Sequence, residues 1–206
     1  FPAVDGFPEI AEVLKEPTDK SNIGNRWHSD QSYDIAPALG SILLARETPS
    51  QGGDTIFANM FRAYDTLSTG LKNTVIKLKA LHSSRHVFGK NNQDYMRDRP
   101  GLAERYGNAN IAVQDAIHPM IITHPISGRK ALYINPAFTV GIQGWDNHES
   151  KPFLNMLYEH ASKPENTYRF QWAPGCIAFW DNRATWHYAL NDYHGSRRLM
   201  HRITIE

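Results

Sequence analysis

Two histidines and one aspartate, side chains that bind metal ions, stand where a folded chain could bring them together. His28 and Asp30 are separated by one residue in the segment Trp27-His28-Ser29-Asp30, and His187 lies in an apolar, aromatic segment near the C-terminus. On a β-strand, side chains two residues apart point to the same face, so an imidazole and a carboxylate at this spacing can hold one metal ion. The triplet alone is weak evidence, because most His-x-Asp triplets are ordinary surface sequence.

The combination of the three residues is more specific than any one of them. Two histidines and one carboxylate form a facial triad that leaves coordination positions open, which is the arrangement of non-haem Fe(II) oxygenases. The alternative for His187 is a core histidine that is satisfied by one hydrogen bond. We therefore predict a metal site made by His28, Asp30 and His187, and Fe(II) is the ion that this ligand set favours.

Two arginines near the C-terminus predict an anion site. The segment 197–205 has the pattern of a strand, on which Arg198 and Arg202 share a face, about 13 Å apart along the strand. Guanidinium groups on the inner face of a strand are costly unless they meet anions, and their geometry matches a carboxylate or a sulfonate. The alternative is a pair of arginines at the rim of the fold, in solvent.

The segments around these residues predict many short strands and few helices. Apolar runs and turn signals indicate strands over 40–46, 54–58, 167–172, 176–181, 184–189 and 197–205, and a hairpin that joins 119–124 to 130–135. Helices are predicted over 9–15, over 69–78 with Ser68 as N-cap, and over 151–162. The polar segment 90–115 is predicted to be a loop or lid, with a short helix near 101–106. Together these elements favour a mainly β sandwich or jelly roll with helical decoration.

Composition limits the class of protein. The 206 residues fit one domain over 1–206, and the net charge of +1 argues against a nucleic-acid binder. No apolar stretch approaches the roughly 20 residues that cross a bilayer, so no membrane association is expected. Cys176 is the only cysteine, which excludes an internal disulfide and fits a cytoplasmic protein. The sequence is also compatible with a homo-oligomer.

Several collinear segments resemble the taurine/phenoxyacetate group of Fe(II)- and 2-oxoglutarate-dependent dioxygenases. The matching segments run from about residue 25 to the C-terminus, and they are Trp27-His28-Ser29-Asp30, Gly52-Gly53-Asp54-Thr55, Thr123-His124-Pro125 through Gly128-Arg129-Lys130, Trp180-Asp181-Asn182, His187, and Arg197 to Thr204. Each block is unspecific alone, but their occurrence in one order is highly specific.

The resemblance implies a double-stranded β-helix (jelly-roll) fold with His28, Asp30 and His187 as the iron ligands. It implies that Arg198 binds the distal carboxylate of 2-oxoglutarate, with Thr55 as a hydrogen-bonding helper. Once 2-oxoglutarate occupies Arg198, Arg202 is left free to receive the anionic head of the primary substrate. Phe138 resembles an aromatic position of the substrate pocket, and we expect Phe88 to line the same pocket, although core packing explains either residue as well.

The implied activity is hydroxylation of a small organic anion with 2-oxoglutarate and O2 as co-substrates and with release of succinate and CO2. Taurine or a similar sulfonate is the favoured substrate, and an aryloxyalkanoate or an alkyl sulfate is the alternative. A non-catalytic metal-binding jelly roll is the alternative of another class. Only 27 residues precede His28, so the family's N-terminal segment is expected to be absent from this chain.

Overall fold

The computed structural model describes residues 2–88 and 113–206, and these residues form mainly β-strands. The strands are β1 (Ala3–Val4), β2 (Phe7–Lys15), β3 (Gly40–Glu47), β4 (Thr55–Asn59), β5 (Lys79–Ser83), β6 (Asp115–Pro119), β7 (Ile121–Thr123), β8 (Lys130–Leu132), β9 (Thr139–Ile142), β10 (Thr167–Phe170), β11 (Ile177–Asp181), β12 (Thr185–Ala189) and β13 (Arg198–Ile205). The helices are α1 (Met60–Asp65), α2 (Thr69–Val75), α3 (Arg85–Phe88) and α4 (Asn147–Ala161), with one 3₁₀ turn at Pro164–Asn166. The predicted mainly β fold with helical decoration is confirmed.

Two antiparallel sheets enclose the part of the interior that concerns function. The first has the strand order β1-β2-β13-β3-β11, and the second has the order β10-β4-β12. Leu43, Trp180 and Met200 of the first sheet form one apolar cluster with Phe57 and Phe170 of the second. The two sheets therefore face each other, and inward-pointing side chains of β12 and β13 project into the space between them.

Helix α4 closes a second, larger core. Leu154, Leu157 and Ala161 recur at helical spacing on α4 and are buried against residues such as Met120 and Trp186. Burying such an apolar stripe is what stabilises a helix of this length in water. The core holds β12, and with it His187, against the helical side of the fold.

The predicted helix over 9–15 is wrong. These residues belong to β2, which pairs antiparallel with β13, with Ala11 opposite Arg202 and Lys15 opposite Arg198. Glu, Ala, Leu and Lys are good helix formers, but pairing with a distant strand outweighs this weak local preference. This pairing matters for the site, because β2 lies beside β13, the strand that carries Arg198 and Arg202.

The other predicted elements are present with shifted bounds. Helix α2 begins after Ser68, whose Oγ accepts a hydrogen bond from the Leu71 N–H, but it ends at Val75 rather than at residue 78. Helix α4 begins four residues before the predicted start, after Asp146, whose N–H donates to the Glu149 carboxylate at 3.0 Å. The predicted hairpin is formed by β7 and β8.

Two further sequence expectations concern a loop and a membrane-spanning helix. The loop or lid predicted over 90–115, and the short helix near 101–106 within it, lie outside the described residues apart from 113–115. Among the described residues, no helix has the length and apolar character needed to cross a membrane.

Candidate metal centre and active site

Backbone hydrogen bonds bring the two predicted histidine ligands together. The His28 N–H donates to the His187 carbonyl at 3.1 Å, and the His187 N–H donates to the His28 carbonyl at 2.8 Å. His187 lies on β12, whereas His28 forms only this isolated bridge and is followed by turns rather than by strand. The strand that was considered for His28 and Asp30 is therefore absent, and the close approach depends on this one pairing.

The side chains of His28, Asp30 and His187 converge on one point. Their ligand atoms all lie within 4.8 Å of one another. Asp30 Oδ1 is 3.6 Å from His28 Nε2 and 3.8 Å from His187 Nε2. His28 Nδ1 lies 2.8 Å from the Arg26 carbonyl, which can only accept, so Nδ1 carries the proton and Nε2 presents its lone pair to the centre.

The electrostatics of the three groups suit a cation. Burial lowers the pKa of both imidazoles, strongly for His187, because the charged form loses its hydration, and Asp30 opposes this only in part. Burial by itself would raise the pKa of the Asp30 carboxyl, but Arg202, the two histidines and Ser41 together hold it below its usual range. The group therefore offers two neutral imidazole nitrogens and one carboxylate.

This donor set fits the metal that the sequence predicts. A 2-His-1-carboxylate group with open positions is the ligand set of non-haem Fe(II). His187 Nδ1 is buried and has no hydrogen-bond partner among the described residues, while its Nε2 is directed at Asp30. His28, Asp30 and His187 would hold the ion, and the chemistry of the three donors fits it.

Arg198 is buried on β13, the strand whose Arg202 contacts Asp30 of this centre. Its side chain is 4% exposed, and within residues 2–88 and 113–206 neither Nε nor Nη2 has a hydrogen-bond partner. Trp172 lies beneath the guanidinium, with its ring centroid 5.8 Å from Cζ. Burial lowers the pKa of Arg198 from its high ordinary value, and Tyr193 and Asp54 oppose the shift. A buried guanidinium with unmade hydrogen bonds is a site for an anion such as a carboxylate.

The Gly-Gly-Asp-Thr segment lies close to Arg198. Gly53 has a φ of +71°, and a Cβ at this position would lie 3.2 Å from Arg198 Cδ. Thr55 is buried, and its Oγ1 accepts a hydrogen bond from Trp172 Nε1 at 3.0 Å. Thr55 thus reaches Arg198 through Trp172, a residue that sequence reasoning missed.

Arg202 is also at the centre, but it is not the free cation that was expected. Its Nη2 is 3.2 Å from Asp30 Oδ2 and 3.3 Å from Thr204 Oγ1. The prediction that Arg202 shares a face with Arg198 on one strand is confirmed by the course of β13. An anion that reached Arg202 would share its guanidinium with Asp30, a possibility that strand spacing alone could not reveal.

Aromatic rings form one wall beside His28. The Phe138 ring lies edge-on to the His28 ring, with centroids 6.4 Å apart. Tyr33 packs on Phe138 at 4.9 Å, and Phe88 lies 5.8 Å from Phe138. The two predicted pocket residues are thus brought together, and Tyr33, which sequence reasoning missed, completes the wall.

Comparison with known proteins identifies the family. Residues 1–204 match the family described as taurine catabolism dioxygenase TauD, TfdA family. The chain belongs to the TauD/TfdA family. This TauD/TfdA chain is 36% identical over 205 residues to an alkylsulfatase of Acinetobacter baylyi and 34% identical over 205 residues to an alpha-ketoglutarate-dependent sulfate ester dioxygenase of Pseudomonas putida. Each alignment covers 99% of the chain.

A solved structure supports the fold of this TauD/TfdA chain. A putative alpha-ketoglutarate-dependent taurine dioxygenase from Burkholderia xenovorans superposes with a TM-score of 0.80 at 32% identity, covering 100% of this chain and 67% of that one. The predicted jelly-roll fold is confirmed by this likeness. The chain spans 62% of the length of the alkylsulfatase and 66% of the length of the sulfate ester dioxygenase.

The residues that sequence reasoning missed share a property. Tyr33, Trp172 and Ser41 belong to residue types that are common in any β protein, and no short motif singles them out. Trp172 is the last residue of the predicted strand 167–172. Tyr33 lies three residues after Asp30, so proximity in sequence is the only available signal for it. Ser41 is the second residue of a buried strand and carries no signal.

Proposed function

We propose that the protein is an Fe(II)- and 2-oxoglutarate-dependent dioxygenase that hydroxylates a small organic anion with a sulfate-ester or sulfonate head group. The observation that carries this proposal is the combination of two features, a triad of two neutral imidazoles and one carboxylate and, on the strand whose Arg202 contacts that triad, a buried arginine with unmade hydrogen bonds. A metal-binding protein without catalysis has no need of the second feature. The family and the relatives named for sulfate esters support the class of reaction.

The chain's own residues would have separate tasks in this reaction. When bound by the triad, Fe(II) supplies with 2-oxoglutarate and O2 the oxidising chemistry, in which succinate and CO2 are released and a substrate C–H bond is hydroxylated. Arg198 would bind the distal carboxylate of 2-oxoglutarate through charge-assisted hydrogen bonds. Trp172 would pack against the guanidinium of Arg198 and fix its orientation, and Thr55 would hold Trp172 through its hydrogen bond. His28 and His187 stay neutral because they are buried, which leaves their nitrogens available as ligands.

Arg202 and the aromatic wall would select the primary substrate. The guanidinium of Arg202 can donate hydrogen bonds to two oxygens of a sulfo group or a carboxylate in a planar fork. Phe138, Phe88 and Tyr33 offer an apolar surface that excludes water and contacts a carbon skeleton. Since a hydroxyl group placed on the carbon that bears the head group gives an unstable product, a sulfate ester would release sulfate and a sulfonate would release sulfite.

A substrate panel tests the proposal. The protein is given Fe(II), 2-oxoglutarate and O2 with alkyl sulfates, alkanesulfonates including taurine, phenoxyacetates, and neutral alcohols of matched length, and succinate is measured. We expect succinate formation that is stimulated by a sulfate ester or a sulfonate, in equal amount to the sulfate or sulfite released. Stimulation by phenoxyacetates alone would assign the alternative substrate class. Metal binding without any succinate would favour the non-catalytic alternative and contradict the proposal.

The same assay tests Arg202. Arg202→Lys keeps a positive charge beside Asp30 but removes the planar fork, so it should raise the KM for the primary substrate far more than the Kd for 2-oxoglutarate. Arg129→Lys is the control, since Arg129 forms an exposed ion pair with Asp65 on another part of the surface. An unchanged KM in Arg202→Lys, or neutral substrates that react as well as anions, would contradict the role of Arg202.

A further inference from the structure

The two oxygens of the Asp30 carboxylate have different partners. Oδ1 is directed at the two imidazole nitrogens, at 3.6 and 3.8 Å. Oδ2 accepts a hydrogen bond from Ser41 Oγ at 2.8 Å and lies 3.2 Å from Arg202 Nη2. The carboxylate is thus anchored through one oxygen while the other faces the centre, which is the arrangement of a ligand that binds metal through a single atom.

Ser41 is placed so that its hydroxyl hydrogen has one destination. It lies on β3 between Trp180 of β11 and Thr204 of β13 in the ladder, and it is 0% exposed. The amide nitrogen of Asn182, which can only donate, lies 3.4 Å from Ser41 Oγ, at the long end of the range for a hydrogen bond. The hydroxyl therefore accepts from Asn182 and donates to Asp30.

The hydrogen bonds of Ser41 continue through Asn182 to Ser29, which lies between the predicted ligands His28 and Asp30. The backbone carbonyl of Asn182 accepts a hydrogen bond from the hydroxyl of Ser29, the residue between His28 and Asp30. Ser29, Asn182, Ser41 and Asp30 are all buried. A closed chain of hydrogen bonds in a buried place holds its members in one arrangement, because each unmade bond would leave a polar group unsatisfied.

We infer that Ser41 is a positioning residue that keeps Asp30 Oδ1 directed at the metal and keeps it there when Arg202 engages a substrate anion. Arg202 is the other partner of Oδ2, through an ion pair, and in the proposed function it also meets the substrate head group. If its guanidinium turns towards that anion, Ser41 remains as the donor to Oδ2. The inference rests on the metal site of the proposed function and does not depend on the identity of the substrate.

Ser41→Ala removes the hydrogen bond while leaving the strand intact. Loss of an outer partner of a metal ligand typically weakens metal binding by about tenfold to a hundredfold, and we expect an increase of this size in the Kd for Mn(II). Ser41→Thr keeps the hydroxyl on a residue that suits a strand and should bind Mn(II) nearly as tightly as the wild type. In an Arg202→Ala background, Ser41→Ala should weaken Mn(II) binding more than it does in the wild type, because Oδ2 then loses both its ion pair and its hydrogen bond.

Ser150→Ala is the matched control. Ser150 lies on α4, is 1% exposed, and uses its hydroxyl to accept a hydrogen bond from the Ile142 N–H rather than to hold a metal ligand. The substitution Ser150→Ala removes an equally buried hydroxyl, so it should change the melting temperature without changing the Kd for Mn(II). A role of Ser41 in folding alone would give the same pattern.

The experiment is a titration of each purified variant with Mn(II), in which free Mn(II) is followed by electron paramagnetic resonance, together with thermal unfolding in a chelator. The inference is supported if Ser41→Ala binds Mn(II) at least about tenfold more weakly than the wild type while Ser150→Ala and Ser41→Thr do not. It is overturned if Ser41→Ala binds like the wild type, or if Ser41→Thr is as weak as Ser41→Ala. A wild type that binds no Mn(II) would instead overturn the proposed metal site itself, so the two failures are distinct.

Discussion

His28 and His187 are bound to each other twice through their backbones, and their rings lie 3.9 Å apart between centroids. This bridge joins the segment that carries Asp30 to β12, so the ligands at distant positions in the sequence depend on one backbone pairing. Trp180 of the facing sheet and Phe57 of the neighbouring strand β4 pack on the His187 ring, at 4.7 and 6.3 Å. These protein contacts fix the positions of the two histidines, which limits the cost of ordering the site when an ion binds.

Substitution His187→Ala should remove metal binding and turnover together. It deletes one of three ligands, and the loss of affinity for Mn(II) should exceed the roughly hundredfold that is typical for an outer partner of a ligand. His201→Ala is the control, because His201 lies on β13 one residue from Arg202 and therefore on the opposite face of the strand. A His187→Ala protein with undiminished succinate formation would remove His187 from the ligand set.

Substitution Arg198→Ala should weaken the binding of 2-oxoglutarate by about a hundredfold or more, since a buried carboxylate would lose its charged partner. The neighbouring substitution Arg197→Ala is a stringent control. Arg197 forms ion pairs with Glu16 and Glu47 at the surface, and it points away from the pocket. Calorimetric titration with 2-oxoglutarate in the presence of Mn(II) measures both variants, and equal affinities would reject the role of Arg198.

Substitution Gly53→Ala should act on Arg198 through steric contact. A Cβ at Gly53 would lie 3.2 Å from Arg198 Cδ and 3.0 Å from Pro49 Cγ. The positive φ adds a backbone penalty of about 1–2 kcal/mol in any L-residue. Gly175→Ala separates the two effects, because Gly175 has a φ of +86° and nothing lies within 4 Å of its Cβ position. Both variants should be less stable, but only Gly53→Ala should bind 2-oxoglutarate more weakly; similar affinities would show that the contact is unimportant.

His82 should make the folded protein sensitive to acid. Burial, with His118 nearby, lowers the pKa of His82 to about 3, while an unfolded histidine titrates near 6.5. Between these values the unfolded chain binds a proton that the folded chain excludes, so the free energy of unfolding falls as the pH falls, by roughly 1 kcal/mol per pH unit from this residue.

Denaturant unfolding of His82→Asn between pH 4 and pH 7 measures this contribution. The variant should be less stable at pH 7, because the hydrogen bond of His82 Nδ1 with Ser32 Oγ is lost, but its stability should fall less steeply towards acid. A slope equal to that of the wild type would show that His82 is not responsible for the sensitivity.

The sequence predicts which residue types make up the centre better than it predicts how they are arranged. His28, Asp30 and His187 carry ligand atoms whose types limit what they can do, and strand parity predicts that Arg198 and Arg202 share one face. The fold class followed from the run of short apolar segments with turns between them. Residue type and local pattern carry these inferences, while the grouping of distant residues into one site comes from their combination and from the resemblance.

The features of the fold and site that the sequence does not predict depend on contacts between distant segments. Residues 9–15 contain good helix formers, and only the pairing of Ala11 with Arg202 shows that they form a strand. Arg202 was expected to be free, and its contact with Asp30 becomes visible only once β13 lies beside the ligand segment. Ser41 and Trp172 acquire their roles in the same way, from what lies opposite them in the folded chain.

Binding of 2-oxoglutarate with and without Mn(II) tests the central claim most directly, namely that the triad and Arg198 form one site. Calorimetric titration of the wild-type protein without oxygen should give one 2-oxoglutarate per chain. Its affinity should be higher by about tenfold or more when Mn(II) is present, since two ligands that contact each other bind cooperatively. The enhancement should vanish in His187→Ala. Affinity for 2-oxoglutarate that is the same with and without Mn(II) would contradict a shared site and, with it, the proposed reaction.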